Sequence, residues 1–361
     1  MANTNLRQAK DVKNDEFYTQ YQDIEKEVNA YLEYNPDVFK DKIILLPCDD
    51  PEWSNFTKYF AQNFEKFKLK KLISTSYAIE SKTYKEGFQT TLFEKESPKF
   101  DKKKTRIKGK LFTLTKDDTG DGRIDIEDLG WQYMDGDGDF RSKEVKKLRD
   151  EADIIITNPP FSLFREFLAW IIKANKQFLI IGNKNCVTYK EVFPLIKDNK
   201  LWSGKTEWSG GLWFETKNPD DVDKVVDGIN LKNVSSVWFT NLDHGRRHQQ
   251  LPLMSMADNL KYSKHKEIKG KKSYDNYDNY DAIEVPFTDA IPSDYSGVMG
   301  VPVTFLDKYN PEQFEIVGWS RHNNYGMDGG YWKGGKIDAT INGREVYRRI
   351  LIKHKKLKST K

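Results

Sequence analysis

No apolar run in the chain approaches the roughly 18 residues that a membrane-spanning helix requires, and the opening MANTNLRQAKDVKNDEF offers no apolar stretch of the kind a signal peptide carries. Cysteine is nearly absent: Cys48 and Cys186 are the only two, which excludes a disulfide framework and suits a reducing cytosol. No internal repeat of solenoid length is visible either. The expectation is a soluble, cytoplasmic protein. What is present is a globular composition, 37% hydrophobic and 13% aromatic over 361 residues, enough to bury a sizeable core. That length favours one large domain with an appended region, or two domains.

The net charge of +4 is small but unevenly spread. Residues 301–361 hold 12 Lys and Arg against 6 Asp and Glu, so the first 300 residues are slightly acidic overall. Eight bases fall within 95–110, and nine acids against the single Arg123 follow within 117–139. A cationic surface that neutralises phosphates is the usual footprint of nucleic-acid binding. Any one such run also reads as a solvated loop or tail.

Short continuous Ile/Leu runs at 42–47, 71–76, 153–157 and 177–182 show no alternation. Strands buried on both faces of a parallel sheet look like this. Helices are expected at Tyr21–Leu32, at Ser54–Phe67, and after Ser162, where Leu163, Phe164, Phe167, Leu168, Ile171 and Ile172 paint one helical face. Strands alternating with helices predict an α/β fold with a three-layer sheet over residues 1–202. From about residue 203 the texture changes to Trp- and Gly-rich segments and shorter strands. Residues 273–281, SYDNYDNYD, read as a polar, aromatic low-complexity stretch, and Arg344–Lys361 as a basic tail.

Asn158-Pro159-Pro160-Phe161 directly follows the third apolar run, at the carboxyl end of a strand, where open α/β sheets bind ligands. Two prolines in series fix the backbone and remove two N–H donors. The chemistry that suits such a corner is methylation of an aromatic amine. The amine's lone pair is delocalised into its ring, so it is a poor nucleophile. Acceptors on its two N–H groups, the Asn158 side-chain oxygen and the Pro159 carbonyl, would favour a pyramidal nitrogen with its lone pair free to attack. Phe161 would stack on the base and fix its plane. Positioning and fixed dipoles together lower the barrier, and a base inside a duplex must first be flipped out. The same tetrapeptide also reads as a rigid strand-to-helix turn.

Further stretches extend this picture: Asp15-Glu16-Phe17-Tyr18-Thr19-Gln20-Tyr21, Cys48-Asp49-Asp50-Pro51 with Ser54-Asn55-Phe56, Gly136–Ser142, Thr157–Glu166, Thr188–Phe193, Thr240–Asp243, Tyr274–Asp278 with Tyr280–Ile283, and Gly297–Pro302. In this order they resemble the EcoRI-type adenine-specific DNA methyltransferases through most of the chain. The resemblance implies a class I, Rossmann-like methyltransferase sheet over residues 1–202 and a target-recognition region over 203–361. It implies S-adenosyl-L-methionine as cofactor and double-stranded DNA as partner, in a setting where a cognate restriction endonuclease acts on the same site. It implies that Asn158, Pro159, Pro160 and Phe161 are catalytic and that Phe17, Tyr18 and Thr19 pack against the methionine end of the cofactor. Asp49 and Asp50 would lie near its amino group. Asp139 would accept from its adenine amine, and Phe140 would contact the adenine ring. One departure stands out. Where the wider class has a Gly-rich loop after the first strand, this chain has Leu46-Pro47-Cys48-Asp49-Asp50-Pro51, which also reads as a helix cap. An acid to grip the ribose is not evident, with Tyr77 and Glu80 as candidates.

Asp117–Asp128 fits the twelve-residue calcium-loop pattern, with Gly122 at its sixth position, but Asp128 replaces the usual bidentate Glu, and a solvated acidic insertion is the favoured reading. No metal is expected at the active site. His244, Arg246 and Arg247 follow Asp243, and the arginines suit DNA contact better than a cation. A surface loop is the plain alternative. The tail bases Arg348, Arg349, Lys353, Lys355, Lys356 and Lys358 would meet phosphates. Asn-Pro-Pro-aromatic also serves methylation of RNA adenine and of protein glutamine amides, and a DNA-binding relative that has lost catalysis is a third reading.

Overall fold

The structure is a computed structural model that describes residues 18–52, 54–78, 101–115, 130–216, 219–322 and 326–355. Phe17, Glu80 and the calcium-loop stretch 117–128 lie outside the described residues. The chain divides into two compact units, one of residues 1–184 and 204–243, the other of residues 185–203 and 244–361.

The first unit is a mixed α/β layer structure. Its apolar runs form β2 (Ile43–Leu46), β3 (Lys71–Thr75), β6 (Ile154–Thr157) and β7 (Gln177–Asn183), and every residue of β2 and β6 is buried. Two-faced burial is why these segments carry no alternation. The antiparallel strands β4 (Lys110–Leu114), β5 (Gln132–Tyr133) and β12 (Ser236–Thr240) flank them. Within this unit the strand order is β5-β4-β3-β2-β6-β7-β12, with β3, β2, β6 and β7 mutually parallel. The chain runs from β2 to β3 on one side, and the later β6 takes the other. The carboxyl ends of β2 and β6 therefore flank a topological switch point, the place where sheets of this kind open a ligand crevice.

Helices α1 (Tyr21–Tyr34), α2 (Asn55–Gln62), α3 (Lys102–Ile107), α4 (Lys143–Glu151) and α5 (Phe164–Lys173) complete the unit. Helix α2 starts where expected: Ser54 accepts from Phe56 N and caps it. Helix α5 starts later than expected. Ser162 does not cap it, because Phe161–Leu163 form a 3-10 turn and the N-cap position falls on Leu163. The apolar core gathers Phe39, Phe56, Tyr59, Phe60 and Phe67 beside Ile44, Leu46, Ile154 and Ile156.

A second, antiparallel sheet in the same unit joins β1 (Tyr18–Thr19), β9 (Leu212–Glu215), β11 (Ile229–Val234) and β10 (Lys224–Val226) in that order. It unites the beginning of the chain with a segment nearly two hundred residues later. The turn entering β9 is anchored by Glu27, fully buried on α1, which accepts from Lys205 N at 2.7 Å, Thr206 N at 2.8 Å and the Thr206 hydroxyl at 2.6 Å. Residues 204–243 thus fold with the first unit.

The second unit holds α6 (Phe193–Lys197), β8 (Trp202–Ser203) and α7 (Met256–Tyr262). Its main sheet runs β13 (Ile283–Glu284), β14 (Met299–Val301), β18 (Ile350–His354), β15 (Phe314–Trp319), and a hairpin pairs β16 (Thr340–Ile341) with β17 (Arg344–Glu345). The stretch SYDNYDNYD is no solvated low-complexity segment. Its tyrosines recur every third residue, and Tyr274, Tyr277 and Tyr280 are all buried, each hydroxyl finding a partner in Ala290 O, the Glu284 carboxylate or Ile337 O. Part of the basic C-terminal stretch is internal as well. β18 is an inner strand with Ile350, Leu351 and Ile352 fully buried, and Arg349 pairs with Glu284 at 2.6 Å. Among the described residues no helix is long and apolar enough to cross a membrane.

Candidate active site

At the switch point one carboxylate ties three elements together. Asp49, just beyond β2, is 6% exposed. Its Oδ1 accepts from the Ser54 hydroxyl at the head of α2, at 2.6 Å, and its Oδ2 accepts from the Thr157 hydroxyl at the end of β6, at 2.6 Å. Its own N–H donates to Thr75 O at the end of β3. Burial pushes the Asp49 carboxyl up to about 7, against the two hydroxyl bonds, which favour the charged form. Asp50 beside it accepts from Glu52 N and lies 3.3 Å from the Lys110 ammonium, which also pairs with Glu52 at 2.5 Å. Neither aspartate is the cap of α2. Ser54 is.

Asn158 follows Thr157 directly. Pro159 is buried, while Asn158, Pro160 and Phe161 are half-buried. Pro160 O accepts from Leu163 N, which closes the turn after the tetrapeptide. The Phe161 ring meets Phe214 of β9 edge-on, with centroids 6.4 Å apart. Thr19 of β1 stands opposite Phe214 in the β1–β9 register, and its carbonyl accepts from Asn55 Nδ2 at 2.8 Å. A continuous set of contacts therefore runs from Thr19 through Asn55, Ser54, Asp49 and Thr157 to the tetrapeptide. Segments far apart in sequence converge on one corner.

The 136–142 segment stands at the end of β3. Gly138 has φ +80° and sits so close to Ser76 O that an added Cβ would overlap it, so only glycine fits. Asp139 accepts from Arg141 N at 2.7 Å and from its guanidinium at 2.6 Å. Burial alone would raise the Asp139 carboxyl, but the Arg141 bonds and charge outweigh it and hold the group below its ordinary value. Phe140 is buried, edge-on to Phe167 at 5.1 Å and Trp170 at 5.6 Å on α5. Arg141 also reaches Glu166 at 3.5 Å, so this loop and the helix after the tetrapeptide share charges. Tyr77 is half-buried nearby and acts electrostatically on Arg141.

A methyl donor with a polar amino-acid end fits this corner on one specific observation. The Thr19 hydroxyl is buried and has no hydrogen-bond partner among the described residues. A buried hydroxyl without a partner costs free energy that a polar ligand recovers. Tyr18 contributes its backbone to β1.

The expected DNA-binding residues lie in the second unit. His244 is buried with its Nε2 3.0 Å from Ser203 O. Arg247 is buried, its guanidinium stacked 3.6 Å over Trp202 and bonded to Asn199. Arg246 pairs with Asp307 at 2.9 Å. All three are engaged inside their own unit. Lys333, Lys336, Arg344 and Arg348 around the β16–β17 hairpin are exposed, although Arg348 pairs with Asp338 at 3.0 Å and Lys336 with Glu345 at 3.9 Å, and Tyr347 beside them is 80% exposed.

The sequence places Thr157, Ser54, Asn55 and Arg141 in the matching stretches without giving them a role in the site, and it does not single out Phe214. The first three carried a signal: each adjoins a residue or motif that was chosen, and each bears a hydrogen-bonding side chain at a strand or helix end. Phe214 had none, since only the fold brings β9 back to β1.

The chain matches the family model described as adenine-specific methyltransferase EcoRI over residues 5–355. It is 42% identical to the type II methyltransferase M.EcoRI of Escherichia coli, covering 98% of this chain and 97% of that protein. It is 32% identical to the type II methyltransferase M.MpnI of Mycoplasma pneumoniae, covering 97% of this chain and 98% of that one. With M.MgeORF184P of Mycoplasma genitalium the identity is 33%, over 98% of this chain and 99% of that one. No solved structure matches it. Relatedness that runs the length of the chain leads to one assignment: this enzyme belongs to the EcoRI family of adenine-specific methyltransferases.

Proposed function

We propose that the enzyme methylates the exocyclic N6 of a specific adenine in double-stranded DNA, with the adenine flipped into the corner at Asn158–Phe161. The observation that carries this reading is the position of the tetrapeptide at the carboxyl end of β6, beside the switch point and against the sheet that holds Thr19. The parallel order β3-β2-β6-β7 with antiparallel β12 beyond β7 supports a class I, Rossmann-like methyltransferase sheet.

In the proposed mechanism Asn158 accepts one amine hydrogen on its side-chain oxygen and Pro159 accepts the other on its carbonyl. Phe161, steadied by Phe214, stacks on the purine face. The nitrogen lone pair is thereby turned out of conjugation, and its attack is favoured by orientation rather than by a strong base. The proton released as the nitrogen gains its methyl passes to solvent. S-adenosylmethionine, when bound, supplies the methyl on a cationic sulfonium. The proposed cofactor set is Phe17, Tyr18, Thr19, Asp50, Asp139 and Phe140, in which the Thr19 hydroxyl and the Asp139 carboxylate offer direct polar contacts, while Asp49 has both carboxylate oxygens bonded to Ser54 and Thr157.

The second unit is the proposed target-recognition region. Lys333, Lys336, Arg344 and Arg348 bind phosphates around a two-stranded hairpin, a shape that enters a DNA groove. In the 244–247 turn, Arg246 exchanges Asp307 for a phosphate, while His244 and Arg247 hold the turn in place. The setting is a cytoplasmic restriction–modification pair, in which a cognate nuclease cuts the same site when it is unmethylated. Incubation with methyl-labelled cofactor and DNA, RNA or protein separates the candidates. Label in DNA adenine supports the reading, and label only in RNA or protein refutes it.

A further inference from the structure

We infer that Asp49 is a positioning residue, a clasp that sets the catalytic corner by holding Thr157 and the head of α2 at once, rather than a direct ligand of the cofactor's amino group. This rests on the proposed methyl transfer and assigns a role within the same site. Both carboxylate oxygens are spoken for inside the protein, Oδ1 by the Ser54 hydroxyl and Oδ2 by the Thr157 hydroxyl, each at 2.6 Å. The Asp49 side chain is almost fully enclosed. Each donor leads straight to a working part. Thr157 is covalently joined to Asn158, whose amide must meet the adenine amine. Ser54 accepts from Phe56 N to cap α2, and the next residue, Asn55, holds the carbonyl of Thr19. One carboxylate thus coordinates the target-amine side and the proposed cofactor side across the switch point.

The protonation state decides how well the clasp holds. Ionised Asp49 is acceptor-only and takes both hydroxyl protons. When protonated it must donate through one oxygen, so one of the two hydroxyls has to turn its proton elsewhere. The charged group acting on it is Asp50, whose charge opposes ionisation, and the Lys110 ammonium pairs with Asp50 and Glu52. On β6 and α2 the groups that face it are the uncharged Thr157 and Ser54 hydroxyls. Turnover is therefore expected to rise as Asp49 ionises, around neutrality.

Asp49→Asn, Thr157→Val and the double variant test this, with cofactor affinity by calorimetry, single-turnover methylation of DNA, and thermal unfolding of the protein without cofactor. The expected result is a fall of about tenfold or more in the methylation rate for each single variant, with cofactor affinity held within about twofold. The double variant should be little worse than either single one, in rate and in unfolding, because both remove one interaction. Thr157→Ser, which keeps the hydroxyl, should restore the rate, and the acid limb of the rate–pH profile should vanish in Asp49→Asn. A fall in cofactor affinity of about tenfold in Asp49→Asn with an unchanged rate would overturn the clasp, as would additive unfolding effects at 49 and 157. The unfolding cycle needs no substrate, so it distinguishes a failed clasp from a failed assignment of DNA as substrate, which wild-type protein alone would reveal.

Discussion

Asn158 and Asp49 stand more than a hundred residues apart in the chain and are linked by a single hydrogen bond, through Thr157. Their substitutions should behave differently. Asn158→Ala removes the proposed acceptor for the target amine and is expected to cut methyl transfer by roughly 100-fold or more, the scale of deleting one preorganised polar group at the reacting centre. Cofactor affinity should stay near wild type; near-normal turnover would remove Asn158 from catalysis. Asp139→Ala should act in the opposite sense, weakening cofactor affinity first, as measured by calorimetry. Asp49 also makes a claim on stability. Its folded pKa of about 7 lies above the ordinary 3.8, so the folded state holds a proton that the unfolded state has lost between those values. Stability from this group is complete below about pH 4 and is lost as pH rises to about 7, a change of roughly 4 kcal/mol as an upper figure. Denaturant titrations across pH 4–8 should show that slope in the wild type and a flatter one in Asp49→Asn.

Among the elements, those with an unmixed pattern were legible. β2, β3, β6 and β7 fall within a residue or two of the Ile/Leu runs, because burial on both faces favours apolar residues without alternation. The tetrapeptide was legible too, since two prolines after such a run leave few structures open. What the sequence hid depends on long-range return. β1 needs β9, nearly two hundred residues away, and no local period announces a two-residue strand. The tyrosine repeat at 274–280 looked polar because aspartate and asparagine fill the places between its rings, yet a period of three sets every ring inward. His244 and Arg247 looked like surface cations, while the stacking partner Trp202 lay in a different segment. The junction of α5 with β7 gives an element-scale prediction. A Cβ on Gly182 would collide with the Phe164 ring at the head of α5. Gly182→Ala should cost about 1–3 kcal/mol by overpacking and lower turnover by shifting the helix that follows the tetrapeptide. Chemical denaturation and single-turnover rates would check both, and an unchanged stability would show that the ring gives way freely.

For the whole molecule, the proposed reading assigns chemistry to the first unit and recognition to the second. The first unit carries the corner, and the second carries the exposed bases of the β16–β17 hairpin. If those bases meet phosphates, replacing Lys336, Arg344 and Arg348 by Ala should weaken binding to all DNA sequences alike. The slope of log affinity against log salt should drop by about one for each phosphate-binding base removed, while the rate once DNA is saturating should hold. The most direct measurement is methyl transfer from labelled S-adenosylmethionine to duplex DNA, with the product nucleosides separated and the modified sites sequenced, for wild type and Asn158→Ala side by side. The account predicts N6-methyladenine at one recurring sequence in the wild type and its disappearance in the variant. Label at cytosine, in RNA or in protein, or equal N6-methyladenine from both proteins, would contradict it.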